Sequence, residues 1–215
     1  MSELSSEAAG LIAVGWAGRK LLGPTFEQIG VDLSSRYSAS RLRNFVRITK
    51  NAAAKSGESL NRPGQVNPRV LMKVLDEGSV CDGPVMAEYF GGILAGSRSP
   101  DGANDRGLTW AGVVSRLSTS DVHLHYLFYE AFRRVYLNRT DLTLGMENIR
   151  DQCELYIEAE DLRQTRGLDE GDWETQVAPP ITSLIREGLL GRMHLYGHPE
   201  HLERAGSTLL GLALF

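Results

Sequence analysis

Apolar residues recur at three- and four-residue steps through most of the first two thirds of the chain, the period of helices buried along one face. Residues 10–22 carry such a run, which stops at Gly23 and Pro24, where proline suits a first helical turn. Phe26, Ile29, Leu33 and Tyr37 restart the stripe, and Leu42, Phe45 or Val46, and Thr49 carry it onward, so the pattern predicts one long helix from residue 24 to near Gly57. The following SGESLNRPGQVN, residues 56–67, has turn chemistry throughout. In NPRVLMKVLDEGS an Asn-Pro start precedes Val70, Leu71, Val74 and Leu75 on one face, which predicts a short helix to Glu77 with Gly78 as its stop. A further short helix is expected over residues 108–117. The STSD stretch from Ser118 to Asp121 then offers capping groups to a strong helix, VHLHYLFYEAFRRVYL, on which Leu124, Phe128, Ala131, Phe132 and Val135 share a face.

The segment around MAEYFGGILAG has the same period but an unusual division of bulk. Wound at about 100° per residue, Met86, Tyr89, Phe90, Ile93 and Leu94 fall on one half, while Ala87, Gly91, Gly92, Ala95 and Gly96 fall on the other with Glu88. Glycine inside a helix costs about 1 kcal/mol relative to alanine, and close approach of a second helix is the expected offset. Ala87, Gly91, Gly92, Ala95 and Gly96 are therefore the predicted packing face. The glycines do not spell a dinucleotide fingerprint or a Walker loop, and they precede a loop instead of following a strand, which excludes a phosphate cradle. In SRSPDGANDRG a calcium loop counted from Asp101 would need glutamate where Gly112 stands. Asp and Asn are expected to hold turns there, with Arg98 and Arg106 pairing local carboxylates.

The last third changes character. CELYIEAEDL reads as a strand or a helix. Ile181, Leu184 and Ile185 form a helical stripe that ends at Gly188, LLGRMHLYG resembles a short strand, and STLLGLALF closes the chain with an apolar element. The expected fold class is mainly α: a helical N-terminal domain over residues 1–140, followed by a small winged-helix-like α+β C-terminal module over residues 141–215.

Composition narrows the functional classes. A chain of 215 residues with 42% hydrophobic content buries a proper core. Its net charge of −4 opposes a dedicated nucleic-acid coat. The charge is unevenly spread: Arg36, Arg41, Arg43, Arg47, Lys50 and Lys55 follow one another with no acid between them, whereas residues 147–174 hold ten acids against Arg150, Arg163 and Arg166. Such a dipolar chain suits docking on itself or on a copy of itself. Arg36, Arg41, Arg43, Arg47 and Lys50 make up the candidate basic patch. Cys81 and Cys153 have neither disulfide nor metal spacing, which fits a reducing cytoplasm. The apolar run near the start stops at Arg19 and Lys20, short of the about 20 residues that span a bilayer, so no transmembrane insertion is expected.

Candidate chemistry is sparse. His123 and His125 lie about 160° apart on a helix and cannot share one metal, since chelating pairs sit three or four residues apart. His125 is expected in the core and His123 at the surface. Ser97, Arg98, Asp105, Arg106, His123 and His125 supply the residue types of a serine hydrolase, but nothing in their spacing makes them converge. No catalytic, cofactor-binding or metal-ligating set is assigned and no cofactor is expected. Arg98, Asp105, Arg106, His123 and His125 are retained as candidate contacts for a partner or ligand.

Several segments together resemble the abortive-infection alpha family of bacterial phage-defence proteins: GPTFEQIG at 23–30, RLRNFVRITKNA at 41–52, VNPRVLMKVLDEGS at 66–79, MAEYFGGILAGSRSPDG at 86–102, the RLSTSD turn at 116–121 and the close containing Gly211. The resemblance covers about half the chain and implies a role class without an active site. The function expected is that of a non-enzymatic cytoplasmic protein of antiphage defence, acting through contacts with a protein partner or with itself as a homo-oligomer. The alternative is a winged-helix DNA-binding regulator, with nucleic acid as the less favoured partner because the expected reading helix, 179–187, offers only Arg186.

Overall fold

The structure is a computed structural model that describes residues 15–23, 38–81, 83–136, 154–158, 162, 164, 173–195 and 202–207. It is mainly helical, and the chain divides into two compact units, Met1–Arg116 and Leu117–Phe215.

In the first unit, α1 (Gly15–Leu22) buries Leu21 and Leu22 and ends at Gly23, whose φ of 74° lies in the left-handed region that glycine adopts without strain. α2 (Ala39–Ser56) is the central helix, with Leu42, Phe45, Ile48 and Ala52 buried at the expected steps and Gly57 as its C-cap. The single helix expected from residue 24 onward is corrected at Ser38, which is extended (φ −66°, ψ 157°) immediately ahead of α2, while residues 24–37 lie outside the described residues. The stripe keeps its phase across this point, but Ser38 and Ser40 bond to each other through their hydroxyls at 3.0 Å.

A tight 3₁₀ turn, Gly57–Asn61, leads to a two-residue strand, β1 (Gln65–Val66). α3 (Pro68–Gly78) begins with Asn67 accepting a bond from the Arg69 N–H at 2.9 Å and buries Val70, Leu71, Val74 and Leu75, the face read from the sequence. α4 (Pro84–Gly96) buries Met86, Tyr89, Phe90, Ile93 and Leu94 and packs along α2. β2 (Arg98–Ser99) pairs antiparallel with β1, Gln65 opposite Ser99 and Val66 opposite Arg98. α5 (Gly107–Val114) completes the unit by packing on α3 and α4.

The second unit opens with α6 (Thr119–Tyr136), assigned from the sequence to the first domain but grouped here with the C-terminal elements. Its start is a reciprocal cap: the Ser118 N–H donates to Asp121 Oδ2 at 2.8 Å and the Asp121 N–H to Ser118 Oγ at 3.1 Å. Val122, Leu124, His125, Phe128 and Phe132 are buried, whereas Val135, expected on that face, is 55% exposed in the last turn. β3 (Glu154–Glu158) settles the strand-or-helix ambiguity for this stretch. A wide π-type turn, Trp173–Val177, runs into α7 (Ala178–Arg186), which packs on α6 and ends before Gly188 at φ 71°. β4 (Leu190–Leu195) and β5 (Leu202–Ser207) form an antiparallel pair with an irregularity between Leu190 and Met193. The three strands lie in the order β3-β5-β4, all antiparallel. The closing apolar segment 208–215 lies outside the described residues.

Candidate functional site

The glycine-rich face of α4 meets α2 at one point above all. A Cβ built on Gly91 would lie 2.7 Å from Asn51 Cβ, 3.0 Å from the Ala52 nitrogen and 3.1 Å from the Ile48 carbonyl oxygen. Two of those three atoms belong to the α2 backbone, so the helices touch where a side chain would stand. Ala87 is buried beside it, Gly92 and Ala95 are half-buried, and Gly96 is exposed with nothing within 4 Å of an added Cβ. The face is thus a packing surface over its first part and open at its C-terminal end.

The polar loop that follows is tied down largely by backbone groups. Ser97 is buried and donates to the Ile93 carbonyl at 2.7 Å, with Gly107 pressed against its Oγ. Arg98 is the clasp of the unit. Its Nε donates to the Lys20 carbonyl at 3.2 Å, one terminal nitrogen to the Ser59 carbonyl at 2.9 Å and the other to the Arg62 carbonyl. The expected carboxylate partner is therefore corrected to three carbonyls, which join the end of α1 to the turn before β1. Asp101 accepts from the Ala103 N–H at 3.0 Å and from the Ser99 hydroxyl at 2.8 Å, and these bonds hold its carboxyl below the usual range. Asn104 donates to the Gly96 carbonyl and Asn67 to the Gly102 carbonyl, both at 2.9 Å. Asp105 pairs with Arg69 at 3.3 Å on the exposed surface, and the Arg106 side chain is exposed.

Replacing Arg98 with alanine strands three carbonyls from their shared donor. Hydrogen bonds to charged groups contribute about 1.5–3 kcal/mol when sheltered, and solvent reduces that here, so a loss of about 2 kcal/mol is expected. Limited proteolysis should then cut first between residues 15 and 66. Arg98→Lys, which offers a single ammonium in place of a forked donor, should recover less than half of the loss.

His123 is exposed and His125 buried, as the helical pattern places them. Burial pushes the His125 pKa down to about 4 and raises that of Tyr129 on the next turn. Of the five candidate contacts, Arg98 is engaged by backbone and His125 sits in the core, which leaves Asp105, Arg106 and His123 at the surface. Arg41, from the basic patch, turns inward to Ser79 Oγ at 3.0 Å and the Asp76 carbonyl at 3.1 Å, while Arg43, Arg47 and Lys50 face outward. Arg36 lies outside the described residues.

Two structural roles escaped sequence reasoning. Asn44 is buried and donates to the Ser79 carbonyl at 3.1 Å, and a Cβ on Gly78 would stand 2.9 Å from both Ile48 Cδ1 and Phe90 Cγ. Gly78 reads locally as a helix stop, and only the fold reveals that it also makes room for α2 and α4. Among the described residues no group of three His, Cys, Asp or Glu is arranged to hold a metal, and no helix is long and apolar enough to cross a membrane. No family model matches the chain, and neither a curated protein nor a solved structure matches it.

Proposed function

We propose that the chain is a non-enzymatic cytoplasmic interaction protein of prokaryotic antiphage defence, of the abortive-infection type, acting through protein contacts. The observation that carries the protein-contact reading is the outward face of α7 and the turn before it. Thr175, Gln176, Pro179, Thr182, Ile185 and Arg186 are exposed there, with Ile185 at 41%. This face is neutral and partly apolar. Its single cation, Arg186, already lies 3.4 Å from Glu187. The engagement of Ser97 and Arg98 by backbone carbonyls is consistent with a scaffold role for the polar loop. The defence role rests on the resemblance of segments 23–30, 41–52 and 66–79.

One observation favours a second reading, a winged-helix DNA-binding regulator. Helix α6, strand β3, helix α7 and the hairpin β4–β5, with the first strand beside the last, follow a winged-helix-like order. In that arrangement α7 would be the reading helix. Phosphate binding draws on several Lys or Arg side chains, which the described face of α7 does not supply.

The test is Ile185→Glu in the full chain. An exposed substitution of this kind changes stability by no more than about 0.5 kcal/mol. The variant should keep the wild-type thermal unfolding curve, yet lose the protein captured from phage-infected cells and restore phage plating. Capture and protection at wild-type levels would sink the reading.

A further inference from the structure

We draw no further inference here: the strongest candidate, the exposed pair Arg47 and Lys50 on the outward face of α2, is a surface patch of two cations, and nothing in the structure shows what covers it.

Discussion

Replacing Gly91 with alanine should destabilise the protein, although alanine is the better helix former. The added methyl would meet Asn51 Cβ at 2.7 Å and two α2 backbone atoms at 3.0 and 3.1 Å, none of which swings aside as the tip of a flexible side chain does. Overpacking of this kind costs about 1–3 kcal/mol, against a propensity gain of about 1 kcal/mol. A net loss of about 1–2 kcal/mol is expected for Gly91→Ala, and Gly91→Leu should prevent the first unit from folding. Five residues further on, Gly96 has nothing within 4 Å of an added Cβ and no positive φ. Gly96→Ala should therefore stabilise by about 0.5–1 kcal/mol, through the unfolded chain and helix propensity. Urea midpoints at unchanged slope measure both effects. Equal shifts for the two variants would show that α2 does not approach α4 as described.

Acid should weaken the protein through His125 well above the pH at which carboxylates titrate. The imidazole is 2% exposed, and burial holds its pKa at about 4 in the folded chain against 6.5 for the free side chain. Above pH 6.5 both states are neutral and the contribution is fully present. As pH falls from 6.5 towards 4, the unfolded chain takes up a proton that the folded chain refuses, and stability drops by about 3 kcal/mol over that window. His125→Leu removes this titration. Its stability between pH 7 and 4.5 should fall more gently than that of the wild type, whatever its absolute value. Parallel pH profiles, or an NMR titration of His125 near 6.5 in the folded protein, would contradict the assignment.

Local chemistry was readable where one turn of chain decides the outcome. The Asn67–Pro68 start of α3, the Ser118 and Asp121 cap of α6 and the alternation of burial on α3 all follow from neighbours within four residues. The bulky and bare faces of α4 were readable too, but not how far the neighbouring helix extends. Period alone cannot distinguish Gly91, which touches α2, from Gly96, which is open. Ser38 shows the opposite failure, because a stripe that stays in phase says nothing about a serine that is extended immediately ahead of α2. Arg98 meets the Lys20 carbonyl 78 residues earlier in the chain, and no local pattern marks such a partner. The placement of α6 in the second unit has the same origin, since its ends are written locally and its packing partner α7 lies some forty residues later. Candidate site residues were therefore recognisable by type and exposure, while their engagement was decided by the fold.

The most direct measurement of whether this chain works through protein contacts is its binding to random-sequence duplex DNA as salt is raised. Protein contacts through a neutral α7 face predict no retarded complex even at low salt. A complex that forms tightly, weakens steeply with salt and disappears when Arg186 and Arg192 are neutralised would contradict the account and make the chain a DNA-binding regulator.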